Sequence, residues 1–237
     1  FKAASGSAAC TDCVAGKHQA ADGSAVCTDC VSGKFKAAEA QTSNTCEDCP
    51  TAGHLTVPGA TASSACGYKH LRLWVDDSYD AAAIAVGTLK FFTSGGTQIT
   101  TDCTDSTVAT CTESNKFDNT ANWQASKCFD SVNTNAWHTK NLQNQWVQIS
   151  FVNPIGVPAT YQLDRSLSSA SDHKPRRPKN FKLQASNAAS PNAAEDHSDW
   201  TTLSTSSDGM PLDSQPYTFG CGAGTTGGMG YCTNCET

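Results

Sequence analysis

The chain has 237 residues, 13 of them cysteine, and a formal net charge of −6 from 16 basic and 22 acidic side chains. A nucleic-acid footprint needs clustered Lys and Arg to displace counterions from phosphates, so that class of partner is excluded. No apolar run approaches the ~20 residues that span a bilayer, and the longest, Ala81 to Leu89, stops at Lys90.

From the N-terminus, residues 1–66 hold only two aromatic residues, Phe1 and Phe35, whereas all five tryptophans follow residue 70. Such a stretch cannot build an ordinary apolar core. Cysteines are the only candidates to hold it. They repeat: Cys13-Val-Ala-Gly-Lys-His runs to Cys27, Cys30-Val-Ser-Gly-Lys-Phe to Cys46, and Cys49-Pro-Thr-Ala-Gly-His to Cys66. Phe1-Lys2-Ala3-Ala4 copies Phe35-Lys36-Ala37-Ala38, so the chain is expected to begin inside a repeat, with the partner of Cys10 upstream of Phe1.

CxxC pairs recurring in this way read either as zinc sites or as a disulfide ladder. Zinc calls for isolated four-ligand sets with aromatic and basic residues folded around the metal. Here the pairs form a ladder with Ala/Ser/Thr/Gly loops between them. The expected bridges are Cys13–Cys27, Cys30–Cys46 and Cys49–Cys66, and no zinc is expected. Each bridge closes a loop of about 15 residues, worth roughly 3 kcal/mol in the chain-entropy model. His18 and His54, at matching repeat positions, are read as solvated turn residues. The CxxCxxG pattern and its spacing resemble the ephrin-receptor-like and TNF-receptor-like cysteine repeats of extracellular proteins. That resemblance implies a disulfide-stapled rod in residues 1–66, resumed from about 221 to 237 by Cys232-Thr-Asn-Cys235, and it implies no particular ligand.

From Tyr68 the pattern changes to strands. Leu71–Val75 alternates, Ile84–Phe92 follows and turns at Ser94-Gly95-Gly96, and further strands are predicted over 146–151, 159–163, 181–186, 200–203 and 217–219. No ten-residue helical period stands out. Many short strands between Gly, Pro, Asn and Ser turns indicate an all-β sandwich.

Four stretches also resemble discoidin (coagulation-factor C-type, galactose-binding-like) domains: Phe129-Asp-Ser-Val-Asn-Thr-Asn-Ala-Trp137, Asn144-Gln-Trp-Val-Gln-Ile-Ser-Phe151, Arg177-Pro-Lys-Asn-Phe-Lys-Leu-Gln-Ala-Ser-Asn187 and Trp200-Thr-Thr-Leu203. The resemblance implies a jelly-roll β-sandwich over residues 67–220. His70–Phe92 is similar to the element that usually closes such a domain but comes first here, which implies a permuted strand order. Such domains often bind sugars, lipids or proteins, and many carry a structural calcium ion near the Asp stretch. Asp130, Asn133 and Asn135 offer the hard oxygens calcium prefers. The competing reading of those residues is an Asx-rich turn bonding its own backbone.

A ligand face needs exposed aromatics and fork-shaped donors. Trp123 fits a sugar-stacking or membrane-dipping role, and Arg165, Arg176 and Arg177 fit hydroxyl or carboxylate recognition. Against these stand Trp123 packing over the sandwich end and arginines that only solubilise a loop. Trp137, Trp146 and Trp200 are assigned to the core. Cys221–Cys232 and Cys103–Cys111 would each close a small loop and leave Cys128 alone, while Cys111–Cys128 is equally compatible with the sequence. No GxSxG, HExxH or phosphate-binding glycine loop is present, so no enzyme is expected.

The sequence thus reads as an extracellular or cell-surface chain. It comprises cysteine-rich repeats (1–66), a discoidin-like sandwich (67–220) and the start of further repeats (221–237). No signal peptide is recognised, which says nothing about secretion in a chain expected to begin inside a repeat. There is no Asn-x-Ser/Thr acceptor, and the Ser/Thr-rich stretches leave O-glycosylation open. The expected role is structural or adhesive, with other copies or other surface and matrix proteins as partners. The alternative is a lectin-like module that binds glycans. Such a combination resembles the large surface proteins of algae and protists, including flagellar hairs.

Overall fold

A segment with two aromatic residues must be held by something other than apolar packing, and the computed structural model of the chain shows what holds it. The structure describes residues 13–19, 26–37, 45–79, 83–115, 124–130, 136–140, 143–164, 176–207, 209–210 and 217–220. The chain falls into two units, Phe1–Lys69 with Asn153–Val157, and His70–Val152 with Pro158–Thr237. It is nearly all β, with disulfides concentrated in the N-terminal repeats.

In the first unit, Cys13 is joined to Cys27, Cys30 to Cys46 and Cys49 to Cys66, at sequence separations of 14, 16 and 17. Each repeat opens with the same turn. Lys17, Lys34 and His54 donate their backbone N–H to the carbonyls of Val14, Val31 and Thr51. The third residue of each turn is a glycine at positive φ: Gly16 at 78°, Gly33 at 85° and Gly53 at 83°. This is the type II turn, which favours glycine there because a Cβ crowds the backbone. Two hairpins follow, one of β1 (Lys17–Gln19) with β2 (Cys27–Asp29), the other of β3 (Lys34–Phe35) with β4 (Glu47–Asp48). Each carries a cross-strand ion pair at the same position, Lys17–Asp29 at 2.6 Å and Lys34–Asp48 at 2.5 Å. These pairs are exposed and add little stability, about 0–1 kcal/mol.

The residue after Gly-Lys links successive repeats. Phe35 packs in a small core with Ala60 and Cys66, and Cys49 lies against it, so it covers the Cys49–Cys66 bridge. His18 occupies the same repeat position, with Nδ1 3.3 Å from Cys46 Sγ. His18 and His54 are therefore not the solvated turn residues the sequence implied. His54 meets the Tyr68 ring edge-on, with centroids 4.7 Å apart, and burial lowers its pKa.

Backbone contacts also join the repeats. Gly16 donates to Lys36 O and Gly59 donates to Cys30 O, each between neighbouring repeats, and the first repeat approaches the third where a Cβ on Gly16 would lie 2.2 Å from Gly59 O. A Cβ on Gly33 would meet only His54 O at 3.5 Å. Both positions carry the positive-φ penalty, about 1–2 kcal/mol, but only Gly16 adds a clash with backbone. Urea unfolding is expected to give Gly33→Ala a loss near that figure and Gly16→Ala about 3 kcal/mol or more. Equal losses would mean the approach to Gly59 is not tight.

The second unit contains β5 (Gly67–Ser78), β6 (Ala85–Val86), β7 (Thr88–Phe92), β8 (Ala109–Glu113), α1 (Ser126–Phe129), β9 (Trp137–His138), β10 (Gln145–Gly156), β11 (Thr160–Asp164), β12 (Pro178–Ser186), β13 (Thr201–Ser206) and β14 (Tyr217–Gly220), with the start of β5 and the end of β10 falling in the first unit. One sheet has five strands in the order β13-β12-β5-β10-β8, another has three in the order β14-β11-β7, and β6 pairs with β9. Leu71, Leu73 and Val75 on β5 face the same way as their partners Ala185, Leu183 and Phe181 on β12. They are buried with Val147, Ile149 and Phe151 of β10 and with Leu89, Phe91, Tyr161 and Leu163 of the other sheet. The Tyr161 hydroxyl lies 3.4 Å from that of Ser204, one sheet to the other. Trp137 and Trp200 are buried as expected, but Trp146 is only half-buried. It alternates with Val147 and so stands on the opposite face of β10.

The opposite face of β5 is also covered. Arg72 is 1% exposed. Its Nε donates to Gln184 Oε1 at 2.8 Å, one terminal nitrogen lies within reach of Asn192 O and Ala193 O, and the other donates to Ala194 O and Glu195 O. All five N–H donors of the guanidinium thus face oxygen. The group lies 3.9 Å from the Trp200 ring centroid and 4.8 Å from that of Trp74. Burial lowers its pKa to about 10, opposed by Glu195 and Asp196, so it stays charged at neutral pH. Lys182 pairs with Glu195 and holds the same loop.

Arg72→Met would leave the ring sandwich without its cation and the carbonyls of 192–195 without their donors. The expected loss is about 2–4 kcal/mol. Arg72→Lys should recover little of it, because one ammonium cannot reach five acceptors. Denaturant midpoints check this, and an Arg72→Lys protein as stable as wild type would remove the geometric argument.

Candidate functional site

A cleft of about 530 Å³ opens in the second unit, lined by Gln98, Thr100, Thr101, Asp102, Thr104, Phe129 and Asp130. Its walls come from two distant stretches. After β7, the turn at Thr93–Thr97 sends the chain back so that Gln98 pairs with Phe92 and Ile99 donates to Phe91 O. Residues 98–101 therefore run beside β7, and the Thr101 hydroxyl is 3.3 Å from Phe129 O at the end of α1. α1 is short, and Ala125 at its start donates its N–H to Glu113 Oε2 on β8. The loop beyond Thr101 is closed by the Cys103–Cys111 disulfide.

The loop holds two copies of one local device. Asp102 Oδ1 accepts from Thr104 N at 2.8 Å and Thr104 Oγ1 at 2.6 Å, and Asp105 Oδ1 accepts from Thr107 N and Oγ1 at 2.9 and 2.6 Å. The threonine hydroxyl and then the backbone N–H hold the pKa of each carboxyl below its usual value. Asp102 thus stays ionised at the cleft. Asp130 lies across from it at the end of α1, with Lys127 Nζ 3.6 Å away. Two carboxylates, three threonine hydroxyls and a carboxamide give an oxygen-rich surface. It can accept hydrogen bonds from hydroxyl groups or supply hard oxygens to a cation.

The residues singled out in the sequence are distributed as follows. Asp130 lines the cleft, whereas Asn133, Asn135, Trp123 and Arg165 lie outside the described residues, as do Cys221 and Cys232. Arg176 is half-buried, with a terminal nitrogen 3.2 Å from His138 Nε2. Arg177, expected at a ligand face, is instead buried. Its guanidinium lies 3.8 Å from the Tyr79 ring centroid, and its Nε donates to Met210 O. It is built into the fold because Tyr79 and the chain at Met210 close over it. Asp102, Thr104 and Gln98 were not anticipated. The signal that could have found Asp102 and Thr104 is the repeated Asp-x-Thr of Asp102-Cys-Thr104 and Asp105-Ser-Thr107, and Gln98 carries no such signal. Among the described residues Cys128 is in no disulfide. It is fully buried, and burial raises its pKa well above the usual thiol value, so it is an inert thiol.

A family model described as tyrosine-protein kinase ephrin type A/B receptor-like matches residues 16–66. That stretch holds the second and third stapled repeats and most of the first, and leaves the second unit unmatched. No curated protein and no solved structure matches the chain. The repeats are disulfide-rich, which is consistent with an extracellular protein, and no helix among the described residues is long and apolar enough to cross a membrane.

If the Thr104 hydroxyl holds the Asp102 carboxyl low, Thr104→Val raises the Asp102 pKa toward the ordinary carboxylate range. Thr107→Val, one turn away, should leave Asp102 alone and raise Asp105 instead. Carboxyl-detected NMR titration reads both, and an unmoved Asp102 in Thr104→Val would assign the shift to another source.

Proposed function

We propose that this chain is part of an extracellular structural or adhesive protein, in which stapled repeats carry a discoidin-like interaction domain within a cell-surface, matrix or flagellar-hair-like filament assembly. The observation that carries this reading is the repeat itself. The same Gly turn opens each unit, a bridge closes each unit, and the residue after Gly-Lys in the first two units rests on the following bridge. A module of this kind can be added serially without a growing core. The discoidin assignment is supported by the placement of its motifs. Asn144–Phe151 lies along β10, Arg177–Asn187 along β12 and Trp200–Leu203 at β13, all in one sheet. β5, which precedes them in the chain, sits between β12 and β10, in keeping with a permuted order. The role is non-enzymatic, and the partners are other copies or other surface and matrix proteins.

The cleft favours a second reading, a carbohydrate-binding module. Asp102, Asp130 and the surrounding threonine hydroxyls and Gln98 amide match the hydroxyls of a polyol. In this reading Trp123 supplies a stacking face, Arg165 and Arg176 supply donors, and a structural calcium ion is held by Asp130, Asn133 and Asn135.

Sedimentation of the full chain over a range of concentrations, followed by a glycan array with and without calcium, separates the two. Self-association with a silent array supports the structural reading. Binding of a defined sugar by a monomeric chain, weakened by Asp102→Asn and by Trp123→Ala, replaces it with the lectin reading. A chain that neither associates nor binds any glycan overturns both.

A further inference from the structure

Of the two bridges that carry the aromatic residue of the preceding repeat, one is covered by a phenyl ring and the other by an imidazole. Phe35 lies on Cys49–Cys66, whereas His18 lies on Cys30–Cys46. The ligand atoms of His18, Cys30 and Cys46 all fall within 4.8 Å of one another. A phenyl ring can only pack against sulfur. An imidazole can also accept and return a proton.

Burial sets a direction. Cys30 is 0% exposed and Cys46 is half-buried. An approaching thiol therefore meets Cys46 Sγ, and His18 Nδ1 stands 3.3 Å from that atom. Cys13–Cys27 and Cys49–Cys66 also pair a buried cysteine with a half-buried one. They offer the same access, and among the described residues no histidine ring nitrogen is found against their sulfurs.

We propose that the Cys30–Cys46 bridge is a site of thiol–disulfide exchange, entered at Cys46 by an aliphatic thiol with His18 as the proton carrier. The thiol RSH gives its proton to the His18 imidazole as its sulfur attacks Cys46 Sγ. The new R–S–S–Cys46 bond forms, the Cys30–Cys46 bond breaks, and its electron pair leaves on Cys30 Sγ. His18 then passes the proton to Cys30. One disulfide and one thiol are present before and after the step, and no external oxidant is needed. Attack at this sulfur depends on access and on how readily the leaving thiolate is accommodated, and the imidazole serves the second requirement. The thiol is either a small molecule or a cysteine of a second copy.

The test uses the full chain in native buffer with limiting 2-mercaptoethanol. Samples are quenched in acid, denatured and alkylated, and the bridges are followed by peptide mass. The Cys46 adduct with free Cys30 should appear about tenfold faster than opening of Cys13–Cys27 or Cys49–Cys66. His18→Phe, which installs the side chain the next repeat uses, should bring this bridge down to the rate of its neighbours and leave theirs unchanged. His18→Gln should do the same while remaining polar. A second arm omits the small thiol and concentrates protein in which this bridge has been partly reduced and the reductant removed. A dimer linked through Cys46 identifies a second copy as a thiol source, and its absence leaves small thiols as the source. Equal opening rates for the three bridges in the wild type, an adduct on Cys30 in place of Cys46, or His18 variants as fast as wild type would each overturn the proposal.

Discussion

The bridges from Cys13 to Cys27, Cys30 to Cys46 and Cys49 to Cys66 are the constraint on which the N-terminal unit depends. Among the described residues, one buried cluster there consists of Phe35, Ala60 and Cys66, with Cys49 and Ala65 against it. Two of those five residues are cysteines of one bridge, so the staple is also the core. That dual use explains the repeat pattern. A flat ring covers two of these sulfur pairs, and the position after Gly-Lys supplies it from the repeat before. The turn ahead of that ring must then be tight, and the glycine at positive φ makes it so.

The second unit has enough apolar residues for an ordinary core, yet it organises its outer face around a cation. Arg72 sits between two tryptophans and under four consecutive carbonyls, and it takes a side-chain oxygen from the neighbouring strand. Burying a charge is costly unless every donor is met. Here each is met, and the loop from Asn187 to Asp199 is shaped to meet them. In both units a few polar or sulfur contacts with fixed geometry do what larger proteins leave to area.

What the sequence revealed follows from range. Cysteine spacing and strand alternation act over a few residues, and the bridges of the N-terminal unit and the strands β5 to β7 and β10 to β14 lie where those patterns put them. β8 escaped notice because Ala109-Thr-Cys-Thr-Glu113 is short and polar at the edge of its sheet. Arg72 was hidden for a different reason. Leu71-Arg-Leu-Trp-Val75 alternates as though one face were wet, and only the loop arriving from 120 residues later covers that face. The cleft was only half legible. Asp130 stood out beside its asparagines, but Asp102 and Thr104 join it through a turn and a helix end that no local pattern connects. Arg177 reads from the sequence as a ligand donor or a solvated loop residue, because nothing local shows Tyr79 beneath it.

The carbonyl cage over Arg72 has a consequence for how this loop can change. The guanidinium reads main-chain oxygens, and the side chains of Ala193 and Ala194 point into solvent. Any residue that keeps the backbone path leaves the same oxygens in place, so the identity of these two positions is nearly free. Their number is not. Adding or removing one residue between Asn192 and Glu195 would shift the carbonyls out of step with the five donors. The segment is therefore permissive in spelling and strict in length. Among relatives of this chain it should drift in composition while keeping a fixed count of residues.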